Sequence, residues 1–517
     1  MQKHQVVTYE TYPGFVQMVD VDGHVHVLYF YGESTDRKVD TEIVNEGELS
    51  LHPLIDTPEL RTVGKVADQL GYEAYVVGGF VRDLFLGRPN KDIDVVVVGN
   101  GLTMATEVAK AFGHGSKVTL YESYGTAQVR FGETEVEFVG ARKEFYHRES
   151  RNPIVEAGTL KDDQDRRDFT VNDMAICLNE ARYGELVDPY DGISGLAAHR
   201  IQCVGDANER FSEDPLRMMR AIRFASTLGF SIHPDTLAAI TANAKRIEII
   251  TQERITEELM KVLKSKKPSI GFQLLKETHL LREIFPELNQ MTYCEMRNNR
   301  RHKDMFAHTL KVLDNVAERT DDVYVRLAAL LHDIGKPRVK DFDMEKGWTF
   351  YNHAHVGAGM IPGIFKRLKL PLGGEMDLVK KLVYLHMDPI NLVNGVATDS
   401  AVRRLLFEAG EDIEALMILC DSDVTSRHED KVAAVHDKYA QLKVRMAEIE
   451  EKDHLRNFKL PIDGDDIMQM FDLTPCRLVG DIKSAVKEAI LDGTLENDRE
   501  KAIEFAKAEY KRLTEGK

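Results

Sequence analysis

The sequence predicts an α/β domain followed by a mostly α-helical chain, with a short strand-rich segment in front. Residues 1–48 mix Val, Tyr, Phe and Thr with Gly and Asp, which is typical of short strands. Residues 55–145 alternate helical stretches with strand-like runs, and the pattern beyond about 170 is amphipathic and helical. The chain has 517 residues, enough for roughly three or four compact units.

Composition excludes several classes of protein. Hydrophobic residues make up 43% and charged residues 30% of the chain, which is globular and neither collagen-like nor disordered. No apolar run approaches the length of about 18 residues that a membrane span needs, and the N-terminus lacks the layout of a signal peptide. We therefore expect a cytoplasmic protein.

Cysteine usage and charge set two further limits. The five cysteines are scattered without a CxxC pair, so neither a disulfide framework nor a zinc-thiolate site is indicated. Lys and Arg number 68 against 85 Asp and Glu, a formal net charge of −17, which excludes attraction of nucleic acid by the whole surface. A nucleic-acid partner would need local basic patches.

The elements follow in order. The strand-like runs of the α/β region are 74–77, 92–98, 126–131 and 134–139. The helical segments beyond it are 213–229, 235–265, 306–319, 323–335, 397–420, 428–453 and 465–517. Pro461 and Gly464 separate the last two helical segments.

A pair of glycines marks the corner between the first of these strands and the helix after it. In the run VVGGFVRD over 76–83, Gly78 and Gly79 lack a Cβ, so their backbone N–H groups can approach a triphosphate. The following helix would point the positive end of its dipole at the same place. Arg82 is a candidate phosphate clamp. The alternative for the glycines is an ordinary tight turn.

Two acids begin the next strand. Asp92 and Asp94 are two residues apart, so both carboxylates project from one face while Ile93 points the other way. Such a pair, with a third carboxylate on a neighbouring strand, is what two-metal phosphoryl transfer requires. Glu135 and Glu137 are the nearest candidates for the third. The alternative is a solvated sheet edge.

These residues carry a resemblance to a known family. The run GGFVRDLFLGRPNKDIDVVVV over 78–98 resembles the signature of the nucleotidyltransferases that include class II CCA-adding enzymes and bacterial poly(A) polymerases. RRDFTVN over 166–172 looks like that family's ribose-reading motif, and EDPLR over 213–217 like its base-reading motif. The likeness covers about 55–290, in the family's own order.

The resemblance implies roles for individual residues. Asp92 and Asp94 would hold Mg²⁺, with Glu137 as the third carboxylate. The residues that the resemblance and the residue chemistry together place at the nucleotide are Gly78, Gly79, Arg82, Arg166, Asp168, Asp214, Arg217, Arg220 and Arg223. One departure concerns Asp173, which stands where alanine usually follows the ribose motif and which predicts an additional acid near the nucleotide.

Base reading also has a physical rationale. Asp214 and Arg217 are three apart on a predicted helix, so they can present an acceptor beside donors. Cytosine and adenine both show an amino group beside an unprotonated ring nitrogen, so one such pair would accept CTP and ATP; the alternative is a surface ion pair. Arg217, Arg220 and Arg223 form a stripe that would face triphosphate or RNA, the alternative being a solvated helix face.

A second chemical centre lies further along. The run HDIGKP over 332–337, with distant histidines and a distant aspartate, supplies mixed nitrogen and oxygen ligands for a divalent metal. It resembles the HD phosphohydrolase superfamily, which some CCA-adding enzymes carry as a fused domain. By that resemblance the metal ligands would be His308, His332, Asp333 and Asp423, with His353 and His386 as additional site residues. Asp421 is the alternative to Asp423.

Together these observations predict five parts. They are the strand-rich segment 1–48, a nucleotidyltransferase head 55–175, a helical neck with base recognition 176–295, an HD metal-binding domain 296–430 and a helical RNA-binding tail 431–517. The implied activity is addition of CCA to tRNA 3′ ends from CTP and ATP, with a possible HD phosphohydrolase activity. Poly(A) polymerase, a CC-adding or A-adding enzyme, and an HD phosphohydrolase with an RNA-binding head are the alternatives.

Overall fold

The structure is a computed structural model that describes residues 2–20, 24–32, 38–45, 49–147, 150–298, 300–301, 304–395, 398–425, 429–453 and 460–515. The chain divides into two compact units. The first comprises Met1–Val262 with Ile270–Ile284, and the second comprises Leu263–Ser269 with Phe285–Lys517.

The strands are short and lie mostly in the first unit. They are β1 (Val6–Tyr9), β2 (Tyr12–Val19), β3 (Val25–Tyr31), β4 (Lys38–Val44), β5 (Leu49–Leu51), β6 (Glu73–Val77), β7 (Asp92–Val98), β8 (Lys117–Tyr121), β9 (Thr126–Phe131), β10 (Thr134–Gly140), β11 (Arg142–His147), β12 (Ser150–Ala157), β13 (Ala175–Cys177), β14 (Leu186–Val187), β15 (Arg200–Ile201), β16 (Ser231–Ile232), β17 (Met296–Arg297), β18 (Arg300–Arg301), β19 (Asp341–Asp343) and β20 (Gly347–Thr349).

The helices run through both units and dominate the second. They are α1 (Pro58–Leu70), α2 (Gly79–Leu86), α3 (Gly101–Phe112), α4 (Leu160–Asp165), α5 (Gly192–Ala197), α6 (Ala207–Glu213), α7 (Leu216–Leu228), α8 (Pro234–Asn243), α9 (Gln252–Leu263), α10 (Pro268–Glu277), α11 (Leu280–Ile284), α12 (Pro286–Gln290), α13 (Met305–Ala317), α14 (Val323–Leu331), α15 (Lys336–Val339), α16 (His353–Arg367), α17 (Gly374–Leu385), α18 (Asp388–Asn394), α19 (Asp399–Ala409), α20 (Ile413–Ser422), α21 (Glu429–Asp453), α22 (Gly464–Phe471), α23 (Arg477–Leu491) and α24 (Arg499–Glu515).

The N-terminal segment is a five-stranded antiparallel sheet. Its strand order is β4-β3-β2-β1-β5. Val7, Val16 and Val27 form its buried apolar core, and Phe30 packs on Phe85 of α2 with ring centroids 5.4 Å apart. The predicted strand-rich segment is confirmed, and the Phe30–Phe85 contact attaches it to the α/β domain.

The centre of the first unit is a mixed sheet of seven strands in the order β14-β13-β6-β7-β10-β9-β8. β7 and β10 are parallel, while the other neighbouring pairs are antiparallel. Val95, Val96 and Val97 are buried on both faces of β7, as expected for a central strand covered by helices. The predicted α/β domain is confirmed. Edge strand β8 was not predicted, and every residue of it is exposed.

Most of the predicted helices are confirmed, but some of them are interrupted and form two shorter helices. The expected helix 213–229 is two helices, because α6 ends at Glu213 and Pro215 caps α7; proline cannot donate the backbone hydrogen bond that a continuous helix would need. The expected helix 235–265 is α8 and α9 with a 3₁₀ turn, Ala244–Ile249, between them.

The second unit is mostly helical. Helix α14 is buried from Val325 to Leu331, and the C-terminal helices α22–α24 pack on a core of their own that contains Ile467, Ile482 and Val486. The expected helix 397–420 is α19 and α20, separated by a short turn at 410–412. Within the described part of the chain, no helix combines the length and apolarity that a membrane crossing requires.

Candidate functional site

The pairing of β7 with β10 places the predicted acids together. Glu137 lies opposite Asp94 and Glu135 opposite Asp92, so all four side chains share one face of the sheet. Asp92, Asp94 and Glu137 line a cavity of about 660 Å³. Glu135 instead accepts a hydrogen bond from Gln128 on β9. Of the two candidates, Glu137 therefore joins the aspartates.

The mutual repulsion of these acids is only partly relieved. Asp94 is exposed at the cavity, but partial loss of water around its carboxylate, together with the charges of Glu137 and Asp92, raises its pKa to about 6 against the opposing effect of Arg167. Arg167 does not form an ion pair with Asp94, because its guanidinium is held by Asp163 at 2.9 Å. An all-oxygen set of crowded carboxylates is what a hard divalent cation such as Mg²⁺ binds, so these residues fit that ion.

The glycine corner has the geometry that the sequence predicts. Gly78 has φ +73°, a conformation that side chains rarely adopt, and it caps the N-terminus of α2. Arg82 lines the cavity, but Asp83 accepts two of its hydrogen bonds and Asn172 a third, each at 2.8 Å. Two of the five N–H groups of this guanidinium remain for a ligand.

The two ribose-motif residues line the same cavity and are already well partnered. Arg166 is held by Asp163 and by Glu144. Asp168 accepts from Arg220 Nε at 2.7 Å. Burial alone would raise the pKa of Asp168, yet Arg220 holds it below its usual value. A ribose hydroxyl at this point would therefore have to share or replace existing partners.

The base-motif residues line the cavity without forming the predicted pair. Asp214 lies in extended backbone between α6 and α7, where its Oδ1 accepts from Leu216 N at 3.1 Å. Arg217 instead donates to Glu213 at 2.9 Å and to the Arg166 carbonyl at 2.8 Å. The expected i, i+3 arrangement on one helix is wrong, because the helix breaks before Pro215.

The arginine stripe is also partnered rather than free. Arg217 pairs with Glu213, Arg220 with Asp168, and Arg223 with Glu258 at 2.9 Å. Guanidinium groups that are withdrawn from water need such counter-charges. All three arginines line the cavity, so the predicted stripe faces the site with each guanidinium group held by an acid.

Three further arginines in the cavity wall were missed from the sequence. They are Arg142, Arg167 and Arg254. The only local signal was the second arginine of the RRD run. With them, the lining contains eight arginines and five carboxylates. Most of these arginines also pair with acids behind the lining, such as Asp163, Glu213 and Glu258, but the arginine-rich wall still suits a polyanionic ligand.

Asp173 directly follows Asn172, which lines the nucleotide cavity, but its own side chain is turned into the protein. It does not contribute to the lining, its exposed fraction is 0%, and neither carboxylate oxygen has a hydrogen-bond partner among the described residues. Burial raises its pKa to about 8 against the opposing effect of Arg167. Asp173 is thus a buried, mostly protonated acid rather than a ligand of the site.

The four histidines of the predicted HD metal site each have Nδ1 bound by a neighbouring oxygen and Nε2 directed at the centre of the site. The Nδ1 atoms of His332, His353 and His386 lie 2.7 to 2.8 Å from backbone carbonyl oxygens, and that of His308 lies 2.8 Å from the Thr425 hydroxyl. Because Nδ1 carries the proton in each contact with a carbonyl, Nε2 is left to face the centre as a ligand.

Asp333 lies between two groups of these nitrogens. Its Oδ2 is 3.3 Å from His332 Nε2 and 3.7 Å from His308 Nε2. Its Oδ1 is 3.3 Å from His353 Nε2 and 3.8 Å from His386 Nε2. Each group of three is close enough to hold one ion. The donor set therefore fits two divalent ions that share one carboxylate.

Asp423 completes the first of these groups. Its Oδ1 lies 2.9 Å from His308 Nε2 and 3.6 Å from His332 Nε2. Burial alone would lower the pKa of His332, but the carboxylates of Asp333 and Asp423 outweigh it and raise that pKa to about 9, an electrostatic environment that favours a cation. Asp421 faces elsewhere, towards Arg319.

Comparison with known proteins agrees with this description. The domain family described as Poly A polymerase head domain matches residues 74–202, and the one described as a probable RNA and SrmB binding site of polymerase A matches 229–292. The HD domain family matches 305–428. Fold and site thus define a nucleotidyltransferase with an HD domain.

Individual relatives identify the family. A multifunctional CCA protein of Nitrosococcus oceani is 32% identical over 69% of this chain and 85% of its own length. An A-adding tRNA nucleotidyltransferase of Deinococcus radiodurans is 32% identical over 80% of this chain and 91% of its own. The chain belongs to the family of tRNA nucleotidyltransferases that contains these enzymes.

A solved structure shares the fold. The Thermotoga maritima CCA-adding enzyme complexed with tRNA is 22% identical, with a TM-score of 0.55 over 88% of this chain and 96% of that one.

Proposed function

We propose that this enzyme adds C, C and A to the 3′ end of tRNA, using CTP and ATP as substrates. The observation that carries the proposal is the group of three carboxylates, Asp92, Asp94 and Glu137, at one wall of a cavity whose other walls carry eight arginines. Carboxylates that gather cations and arginines that gather phosphates are the two requirements of nucleotidyl transfer.

The side chains divide the work between them. Mg²⁺ held by Asp92, Asp94 and Glu137 would lower the proton affinity of the RNA 3′-hydroxyl and neutralise the departing pyrophosphate. The backbone at Gly78 and the N-terminus of α2 receive the phosphates, since unpaired N–H groups point out of a helix start. Arg82, with two N–H groups free, orients the same anion.

The sugar and base are held on the opposite wall. Asp168 and Arg166 face the ribose, and Asp214 and Arg217 supply an acceptor and donors from two adjacent backbone segments rather than from one helix face. Protein side chains at fixed positions would replace a nucleic-acid template. A base with the wrong pattern would leave a buried group without a partner, which is the source of selectivity.

A narrower activity is the second candidate. The relative from Deinococcus radiodurans is an A-adding enzyme covered over 91% of its length, which favours incorporation of ATP alone onto tRNA that already ends in CC. A poly(A) polymerase, which shares the head domain, would instead add a long run of A residues to the RNA 3′ end without stopping after a fixed number.

The HD centre supports an additional phosphohydrolase activity. His308, His332, Asp333 and Asp423 would hold one divalent ion, and His353 with His386 and the same Asp333 a second. Beside them opens a cavity of about 670 Å³ whose lining includes Lys336, His355, Trp348 and Tyr351. Aromatic rings beside cationic groups suit a nucleotide or a phosphorylated RNA end.

Incubation with defined tRNA ends separates these activities. Purified protein receives Mg²⁺ and tRNA ending before CCA, before CA or before A, with CTP, ATP or both. Three additions that need CTP and then ATP support the proposal, whereas addition only to the tRNA ending in CC supports the A-adding candidate. Long A tails would indicate a poly(A) polymerase, and no incorporation would overturn all three.

The proposed function also includes a cellular location and a role for each predicted part of the chain. A cytoplasmic location follows from the substrate, and the predicted parts 55–175, 176–295, 296–430 and 431–517 would serve as head, neck, HD domain and RNA-binding tail.

A further inference from the structure

Asn90 lies two residues before β7, and both ends of its side-chain amide are engaged. Its Oδ1 accepts the backbone N–H of Asp92 at 2.9 Å, and its Nδ2 donates to Asp83 Oδ2 at 2.7 Å. Because only the oxygen of an amide accepts and only its nitrogen donates, these partners fix the orientation of the side chain. None of the roles described above uses Asn90.

The hydrogen bond from Asp92 N–H to Asn90 lies at the start of β7, where the strand is paired with β10 but no longer with β6. The register of β6 against β7 ends at the pair Val77 and Asp94, so within the described strands Asp92 has no partner on β6. On the other side, Asp92 lies opposite Glu135 of β10. The Asn90 amide thus supports the start of the strand, which carries a proposed metal ligand.

The other end of Asn90 leads into a chain of polar contacts. Asp83 accepts from Arg82 Nε and Nη2, each at 2.8 Å. Arg82 Nη1 donates to Asn172 Oδ1 at 2.8 Å, and Asn172 Nδ2 reaches Asp168 Oδ1 at a longer 3.4 Å. Hydrogen bonds therefore connect the metal-binding end with the ribose motif, with Asp83 accepting from both of its neighbours and Arg82 donating to both of its own.

We propose that Asn90 is a positioning residue that sets the placement of Asp92 through its backbone, and that Asn172 links the same polar chain to Asp168. This inference rests on the proposed nucleotidyl transfer. The two amides are the uncharged members of the chain between Asp92 and Asp168, so each joins ionic groups that would otherwise be held separately. Asp83 and Arg82 are shared by the two ends of this network, so a displaced partner at one end changes what holds the other.

The chain offers a closely matched control. Asn100 lies two residues after β7, and its Oδ1 accepts the backbone N–H of Thr103 at 3.0 Å. It therefore has the same residue type and the same kind of bond as Asn90, at the opposite end of the same strand. Asn100→Ala loses a helix cap of α3, worth about 1 kcal/mol, but lies outside the cavity lining.

The kinetic test compares Asn90→Ala with Asn100→Ala. Losses of groups that orient metal ligands usually fall between about 10-fold and 100-fold, and we expect kcat of Asn90→Ala to fall in that range with KM for CTP and ATP changed by less than about twofold. Asn100→Ala should keep the wild-type kcat. Equal kcat in the two variants would overturn the inference, as would a raised KM at unchanged kcat, which would make Asn90 an ordinary substrate contact.

A second readout does not depend on turnover. Mn²⁺ binding is measured by electron paramagnetic resonance on the full chain without nucleotide, and the HD centre contributes equally in both variants. Asn90→Ala should weaken the Mn²⁺ site of the head about tenfold relative to Asn100→Ala. If the variants differ in this way but the wild-type protein transfers no nucleotide, the proposed function fails and the positioning role stands. If the wild-type protein is active and the variants bind Mn²⁺ equally, the positioning role fails and the proposed function stands.

A double-mutant cycle tests the link to the ribose motif. If Asn90 and Asn172 belong to one chain, the kcat loss of Asn90→Ala with Asn172→Ala is smaller than the product of the two single losses. Losses that multiply would show that the residues act separately and would overturn the shared chain. Circular dichroism and the melting temperature of each variant confirm that the fold is kept.

Discussion

Replacement of Asp173 by Asn should make the protein more stable, by an amount that grows with pH. Asp173 is fully buried, and its two carboxylate oxygens have no hydrogen-bond partner among the described residues. Its pKa is raised by burial, and among neighbouring groups Asp188 and Asp163 raise it while Arg167 lowers it. The carboxyl group is therefore more easily ionised in the unfolded chain than in the folded protein.

The size of the effect follows from the two pKa values. The folded pKa is about 8 against an ordinary value of 3.8, so between these pH values the folded state binds more protons than the unfolded state. The contribution of Asp173 to the free energy of unfolding consequently falls as pH rises through this window. Below and above the window this contribution is constant. At about 1.4 kcal/mol per pKa unit, and with allowance for relaxation of the site, we expect a loss of about 2 to 5 kcal/mol between pH 4 and pH 8.

Asp173→Asn keeps the volume of the side chain and removes its proton equilibrium. The variant should match the wild type near pH 4 and exceed its stability at pH 8. Amide hydrogen exchange in β13, Ala175–Cys177, reports on the first unit. The single tryptophan, Trp348, lies in the second unit, so its fluorescence during urea unfolding serves as an internal control that should not change.

The comparison with alanine separates charge from packing. Asp173→Ala leaves a small cavity but also removes the charge, so it should share the pH dependence of Asp173→Asn with a constant offset. Wild-type protein with no greater pH dependence than Asp173→Asn would refute the reasoning, and so would an asparagine variant that is less stable than wild type at pH 8.

The remaining predictions concern the two chemical centres. Asp92→Ala should abolish nucleotide incorporation and leave any HD phosphatase activity, and His332→Ala should do the converse; loss of both activities in one folded variant would contradict two separate centres. Arg217→Ala should relax the preference for CTP and ATP over UTP and GTP in single-nucleotide assays, and an unchanged preference argues against base reading. Gly78→Ala should lower stability by about 1 to 3 kcal/mol, because φ +73° with ψ −135° is a backbone conformation that essentially only glycine adopts, as thermal unfolding will show. His386→Ala should reduce the metal retained by the HD centre from two ions to one, measured by elemental analysis, and retention of both would show that His386 is not a ligand of the second ion.

The sequence determined those features that depend on local spacing. Asp92 and Asp94 share a face because side chains alternate along any strand, and His332 and Asp333 are neighbours in the sequence itself. The strand pattern around these acids predicted the α/β domain, and the apolar periodicity predicted most of the helices. The main local prediction that was wrong is the single helix through Asp214 and Arg217, because the chain leaves the helical conformation before Pro215.

Only the tertiary structure decided which distant groups meet. The register of β10 against β7 selected Glu137 over Glu135 as the third carboxylate, and no local pattern could fix that register. Pairing of Arg220 with Asp168 and of Arg223 with Glu258 likewise joins residues far apart in the chain. Charge spacing predicted a basic stripe, but burial requires each of its guanidinium groups to have a counter-charge, and only the folded chain determines where that counter-charge lies.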